Sequence, residues 1–292
     1  RLEMICDIII PVWNRLQLTK DCIDSIIKNT NLSYRLIIID NNSYQETADY
    51  FKMLKDKEGL SVILIRNEQN LGFVNAINQG LKASGSEFAC LLNNDTQVQE
   101  KWLEELICVA QSSPRIGIVN PGDNSDSFTN KELFGKWVEI GFASGYCMLI
   151  KREVIEKIGQ FDEAYDIGFW EETDYCQRAK KAGYICGSAK ASYVYHHAHR
   201  TFEIFEDDKV KDLFEKNRKL FISRWGKILQ IAYVVFKKTI SEKDANLILK
   251  LARDGHMVYI FYKSSAEVKA DIEHGSVRKY ICPDIAFHIY IF

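Results

Sequence analysis

The sequence predicts an α/β fold built on a largely parallel sheet, on three observations. Strand-like and helix-like patterns alternate from residue 6 onward. The strand-like runs are apolar throughout, and turn-forming Asn, Asp, Ser and Gly clusters close them at their carboxyl ends. At 292 residues the chain has room for one large domain or two modest ones.

The elements follow in order. Cys6 to Val12 is a β-branched run, and Gln17 to Lys28 has helical spacing through Leu18, Cys22 and Ile26. Leu36 to Ile39 is a second buried strand ending at Asp40-Asn41-Asn42-Ser43, followed by a helix over Thr47 to Lys57. A third strand over Ser61 to Arg66 precedes a helix over Phe73 to Ala83, and a fourth runs from Glu87 to Leu92. Trp102 to Gln111 is amphipathic, and Ile116 to Asn120 is a short strand. The polar, turn-rich stretch Pro121 to Lys136 reads as a loop over a site. Then come a strand over Phe142 to Ile150, helices over Arg152 to Ile158 and Glu171 to Ala182, and at least one strand within Tyr184 to Tyr195.

After Arg224-Trp225-Gly226 the pattern restarts. Strands over Ile228 to Phe236, Met257 to Tyr262 and Ile285 to Phe292 alternate with helices over Ser241 to Arg253 and Ala266 to His274. The expected organisation is a domain over residues 1–226 and a small α/β domain over 227–292. The absence of Met at position 1 and the apolar end at Phe292 suggest a piece of a longer polypeptide.

Composition excludes several classes. A net charge of −2 leaves no basic excess for nucleic acid. The eight cysteines form no Cys-x-x-Cys pair and several lie in apolar runs, which argues against a zinc site or disulfide framework and for a reducing cytoplasm. No apolar run approaches the roughly 18 residues of a membrane span, and Arg1-Leu2-Glu3 does not begin a signal peptide.

Chemistry-bearing clusters sit at strand ends and helix starts, where ligands of open α/β sheets bind. They are Pro11-Val12-Trp13-Asn14, Asp40-Asn41-Asn42-Ser43, Asn70-Leu71-Gly72-Phe73 with Asn75 and Asn78, and Asn93-Asn94-Asp95. Each is individually compatible with a turn or cap. Glu171, Glu172 and Asp174 open a helix behind Phe169-Trp170, where they suit the macrodipole. A carboxylate beside aromatics and another acid also suits a general base. In the extended His196-His197-Ala198-His199 segment, His197 points away from its two neighbours.

In joint order these clusters resemble the inverting family-2 glycosyltransferases, of GT-A fold, over roughly residues 5–226. Gly145 to Arg152, Gly159 to Glu163, Trp170 to Asp174, Tyr195-His196 and Arg224 to Gly226 continue the match. The resemblance implies a Rossmann-like mixed sheet and transfer of a sugar from a nucleotide-diphospho-sugar, of UDP or dTDP type, to a hydroxyl of a glycan or lipid-linked acceptor in cell-surface polysaccharide synthesis. It implies that Pro11, Val12 and Asn14 line the nucleotide pocket, that Asp40 binds the pyrimidine with Asn42 nearby, and that Asn70, Gly72 and Asn75 border the donor. Asn93-Asn94-Asp95 takes the Asp-x-Asp position, with Asp95 the direct ligand of Mg²⁺ or Mn²⁺ and His196 its partner or a diphosphate contact. Thr201 matches a later hydroxyl residue. Glu172 stands where the family's base lies, usually as Asp, and Glu171 is the runner-up. A lipid-linked acceptor would bring a cytoplasmic enzyme to the membrane face, by family analogy alone.

Residues 247–258 resemble the first strands of a GT-B glycosyltransferase but lack its glycine-rich turn, so a truncated second module and a plain accessory domain both stand. Two other functions compete with the transferase. One is a non-catalytic nucleotide-sugar-binding or scaffolding module, opposed by intact Asp95, Glu172 and His196. The other is a dinucleotide oxidoreductase, opposed by the missing glycine fingerprint after the first strand.

Overall fold

Seven consecutive residues of strand β1, Cys6–Val12, are buried, as a strand covered on both faces requires. A computed structural model places β1 at the centre of the fold and describes residues 5–122, 133–197, 207–235, 239–263 and 272–282. The chain divides into two compact units, Arg1–Trp137 with Ala143–Phe221, and Val138–Phe142 with Ile222–Phe292.

In the first unit, β2 (Tyr34–Asp40), β3 (Val62–Arg66) and β4 (Phe88–Leu92) join β1 in parallel, in the order β3-β2-β1-β4. Helices α1 (Leu16–Asn29), α2 (Gln45–Lys55) and α3 (Phe73–Ala83) make the crossovers. Helix α3 lies close to β1, because a Cβ on Gly80 would come within 2.2 Å of Ile9 Cγ2. Trp102, Leu103 and Leu106 of α4 (Trp102–Gln111) are fully buried in the main core. Asp7 is buried mid-sheet and is satisfied there. Arg35 Nε donates to its Oδ1 at 2.8 Å, and Ser84 Oγ with the Gly85 and Ser86 N–H groups donates to Oδ2.

Beyond β4 the expectation of a parallel sheet gives way to a mixed one. Strand β8 (Cys147–Lys151) lies antiparallel to both β4 and β6 (Ile116–Pro121), and β9 (Ile185–Ala189) follows parallel to β6. The eight-stranded order is β3-β2-β1-β4-β8-β6-β9-β7, where β7 is Trp137–Ile140. Strand β8 begins at Cys147 rather than at Phe142. Asn120 accounts for this: its side chain accepts the Ser144 N–H at 2.5 Å and donates to the carbonyls of Ser144 and Cys147, holding residues 144–147 in a turn. A separate antiparallel pair joins β5 (Thr96–Val98) to β10 (Val194–His196).

Helices α5 (Arg152–Ile158) and α6 (Glu171–Lys181) fall where the periodicity places them. Helix α7 (Asp207–Trp225) was not foreseen, although Val210, Leu213, Phe214, Leu220 and Phe221 carry helical spacing. Its heavy charge obscures a narrow apolar stripe. No helix among the described residues is long and apolar enough to cross a membrane.

The second unit contains parallel strands β11 (Gln230–Val235), β12 (Met257–Lys263) and β13 (Val277–Cys282), with α8 (Glu242–Arg253) between the first two. Ser241 caps α8 by accepting the Asp244 N–H at 3.2 Å. Residues 138–142 belong to this unit, where Arg253 forms an ion pair with Glu139 at 2.8 Å and the Gly275 N–H donates to the Glu139 carbonyl. The expected strand over Ile285 to Phe292, most of the helix over Ala266 to His274, and the centre of the Pro121–Lys136 loop lie outside the described residues. So do His199 and Thr201.

Candidate active site

Parallel strands point their carboxyl ends the same way, so the tips of β1, β2 and β4 converge on one rim. The first two are tied together. The Asn14 N–H donates to Ser43 Oγ and Asn14 Oδ1 accepts the Tyr44 N–H, both at 2.8 Å. Asp40 is buried at the end of β2, where its carboxylate accepts the Ser43 N–H at 2.8 Å and pairs with Arg66. Asn41 fastens the next loop, accepting from Asn67 Nδ2 at 2.8 Å and donating to the Gly72 carbonyl at 3.1 Å. Gly72, at φ +82°, also donates its N–H to Asn70 Oδ1 at 2.9 Å, closing a local turn. Asn75 donates back to the Leu71 carbonyl and Asn78 clamps Phe161. These two asparagines serve loop geometry.

The Asn93-Asn94-Asp95 tip follows β4. The Asn93 N–H donates to the Tyr146 carbonyl at 2.9 Å, and Asn94 Nδ2 donates to Thr19 Oγ1 at 2.9 Å. Asp95 is 3% exposed, a burial that a carboxylate tolerates only with a partner. The β5–β10 pairing brings His196 beside it: Nε2 stands 3.2 Å from Asp95 Oδ1, an oxygen that accepts no hydrogen bond. The His196 ring stacks on Tyr146 with centroids 4.9 Å apart. His197 turns the other way, edge-on to Tyr195, as strand alternation requires.

Opposite this tip lies the start of α6. Glu171 is buried and Glu172 partly so, and one oxygen of each, Oε2, has no hydrogen-bond partner. Burial pushes the Glu171 carboxyl well up, and the charge of Glu172 adds to the shift. Burial also raises Glu172, but the N–H groups of Glu172 and Thr173 and a hydrogen bond from Glu171 oppose it. Both carboxyls are thus raised, and the two take up and release protons as a pair. The preceding loop is wound through left-handed Asp166, Phe169 and Trp170 at φ 55°, 70° and 72°. Asn217 of α7, fully buried, braces it by donating to the carbonyls of Tyr165 and Gly168 at 2.8 and 2.7 Å.

These parts enclose a cavity of about 420 Å³, within the size range of small-molecule sites. Of the residues expected at a site, Pro11, Val12, Asn70, Gly72, Asn93, Asn94, Asp95, Glu171, Glu172 and His196 line it. Asn14, Asp40, Asn42 and Asn75 do not; the first two act through the loop bonds above, and Asn42 is exposed at φ 63°. Ser144, Tyr146, Ile167 and Phe169 line it without having been foreseen as site residues. Tyr146 falls inside the motif run Gly145 to Arg152, but only the antiparallel placement of β8 aims it at His196.

The lining carries three carboxylates, and no Lys or Arg among the described residues. No cluster of three or more His, Cys, Asp or Glu side chains forms a cation cage among the described residues either. Asp95 and His196 together would supply two of the six ligands of an octahedral cation, with the remaining ligands to come from elsewhere.

Comparison with known proteins gives the site a context. The sequence profile described as glycosyl transferase family 2 matches residues 7–159. An O-antigen biosynthesis protein, RfbC of Myxococcus xanthus, is 23% identical over 55% of this chain and 15% of its own length. The chain spans about a quarter or less of the length of the first curated relatives it matches. Among solved structures, the mannosyltransferase PcManGT from Pyrobaculum calidifontis, in complex with GDP-Man and Mn²⁺, superposes with a TM-score of 0.58 at 14% identity, covering 76% of this chain and 71% of that one. S. aureus TarS 1-349 in complex with UDP-GlcNAc superposes with a TM-score of 0.59 at 14% identity, covering 76% and 66%. These superpositions identify the fold as GT-A.

Proposed function

Since the chain belongs to glycosyl transferase family 2 and is a glycosyltransferase, we propose that it moves a sugar from a nucleoside-diphosphate donor to a hydroxyl of a glycan or lipid-linked acceptor, with inversion and with the help of a divalent cation. The relatives' roles in O-antigen and poly-N-acetylglucosamine synthesis support a place in cell-surface polysaccharide synthesis. The single observation that carries the reading is the arrangement of one cavity: the Asp95–His196 pair at one wall and the buried Glu171–Glu172 pair at another.

The donor's nucleotide would lie over the tips of β1 and β2, against Pro11, Val12 and Asn41, with Gly72 allowing close backbone approach. A UDP or dTDP donor is preferred on the family resemblance; Asp40, engaged by Ser43 and Arg66, would act on the base only through the loop it holds. A diphosphate brings negative charge into a cavity already rich in carboxylates. Asp95 and His196 would hold Mg²⁺ or Mn²⁺, which neutralises charge on the departing diphosphate. Buried Asp95 and His196, stacked on Tyr146, already stand side by side for that role.

The acceptor hydroxyl must lose its proton as its oxygen attacks C1. Glu172 takes that proton, the new C1–O bond forms, and the bond from C1 to the diphosphate oxygen breaks with its electron pair leaving on the nucleoside diphosphate. One displacement with one base inverts the anomeric centre. The N–H groups of Glu172 and Thr173, which favour the Glu172 anion, support Glu172 over Glu171 as the base.

A thermal-shift screen of UDP-, dTDP- and GDP-sugars with and without Mn²⁺ tests the reading. A shift that needs both the cation and one nucleotide is expected. No shift with any nucleotide-sugar would overturn it.

A further inference from the structure

We propose that Asn120 and Tyr146 are positioning residues for the cation, with Asn120 acting through Tyr146 and Tyr146 through His196; the assignment rests on the transferase reading above. Asn120 is buried near the end of β6, outside the lining of the cavity. Its amide grips both ends of one turn. Oδ1 accepts the Ser144 N–H at 2.5 Å, while Nδ2 donates to the carbonyls of Ser144, at 3.0 Å, and Cys147. A buried amide is costly unless its polar atoms are satisfied, and this turn satisfies them.

The turn delivers Tyr146 to both halves of the cation wall. The Tyr146 carbonyl accepts the Asn93 N–H at 2.9 Å, at the head of the tip that carries Asp95. Its ring lies on the His196 ring, with centroids 4.9 Å apart and planes 9° from parallel. An imidazole meets a metal in its own plane, through a nitrogen lone pair, so the tilt of the ring decides where Nε2 can hold one. A ring stacked on that plane sets the tilt. His196 Nε2 faces Asp95 Oδ1 at 3.2 Å, and that oxygen is buried and accepts no hydrogen bond. A carboxylate oxygen left open beside an imidazole nitrogen is an arrangement that a divalent cation completes.

Strand order makes the coupling short. Strand β8 stands between β4 and β6, and Cys147 pairs with Leu92, the residue that leads into the Asn93 tip. Asn120 therefore holds, from the far side of β8, the turn whose next residues register the tip. A turn that served the fold alone would cost only stability when released. This one takes the Tyr146 carbonyl and ring with it.

The test measures Mn²⁺ binding in the presence of UDP by electron paramagnetic resonance, and the histidine ring protons of the cation-free full chain by NMR, with H196Q identifying the His196 signals. In wild type those signals are expected upfield, because they lie over the Tyr146 ring. Y146L and N120A are each expected to lose the upfield shift and to weaken Mn²⁺ binding about tenfold, the scale of a lost orienting partner. The double variant is expected to bind no more weakly than Y146L. Y146F, which keeps the ring, is expected to match wild type, so the Y146L and Y146F pair reads the stack even where N120A does not fold. I118A truncates a buried residue of the same strand without touching the turn, and is expected to lose urea stability but keep Mn²⁺ affinity. Unchanged affinity in Y146L, a compounded loss in the double variant, or an equal loss in Y146F or I118A overturns the positioning role and leaves the transferase reading intact. Absence of Mn²⁺ uptake by wild type with UDP, dTDP and GDP alike overturns the cation site and the positioning role together.

Discussion

His196 Nε2 lies 3.2 Å from Asp95 Oδ1 although the two residues stand far apart along the chain. The antiparallel pairing of β10 with β5 sets His196 opposite Thr96, next to Asp95. Two groups held this way before a cation arrives need little reorganisation to take one up. The D95N variant is expected to lose Mn²⁺ affinity by more than roughly tenfold, since removing even a partner that only orients a ligand costs about 10- to 100-fold. Electron paramagnetic resonance of free Mn²⁺ in the presence of UDP measures it. Undiminished uptake by D95N would remove Asp95 from the cation site.

Glu172 and Glu171 divide one task. The E172Q variant is expected to lower turnover by about 10²- to 10⁴-fold while donor binding stays near the wild-type level. E171Q is expected to retain far more activity. Radiolabelled sugar transfer, alongside a donor thermal shift, separates the two. Equal losses from both substitutions would show that Glu172 is not the single base.

Stability should carry the mark of the same pair. The folded state holds the Glu171 proton above its ordinary value of 4.5. The native protein therefore binds more protons than the unfolded chain from about pH 4.5 upward to the raised value, and stability falls as pH rises through that window. In E171Q this contribution is gone. The variant is expected to gain on the order of 1 kcal/mol over wild type at pH 8, the usual scale of a single buried polar change, with the gain vanishing near pH 4.5. Urea unfolding at several pH values checks it, and a gain independent of pH would contradict the assignment.

Gly72 tests the donor loop. Its φ of +82° with ψ of 169° is open almost only to glycine, and an added Cβ would stand 3.3 Å from the Ile167 backbone. G72A is expected to cost about 1–3 kcal/mol of stability and to weaken nucleotide-sugar binding. Urea titration with donor affinity measured in parallel checks both. Wild-type stability in G72A would mean that the loop adopts another conformation.

Much of the first unit was legible because strand and helix periodicities are local. The runs Cys6–Val12 and Phe73–Ala83 read the same in sequence and in space. The strand-tip clusters were legible for a related reason: a polar group ending an apolar run has to sit where the strand meets solvent. Short or unpatterned pieces escaped notice. Strands β5 and β7 have three and four residues, too few for a period to show, and the charges of α7 masked its apolar stripe.

From the sequence alone came the ordered series of tips, Pro11 to Asn14, Asp40 to Ser43, Asn70 to Phe73 and Asn93 to Asp95, and with it the family and the side of the sheet on which the cavity opens. Tertiary structure alone decided which of these side chains face one cavity. It turned Asp40 onto Arg66, brought Tyr146 against His196, and used Asn217 to brace the loop before Glu171. Those pairings depend on an antiparallel β8 between β4 and β6 and on a helix arriving from far along the chain. Local patterning records which face of an element is apolar, and it carries no information about which distant element will cover that face.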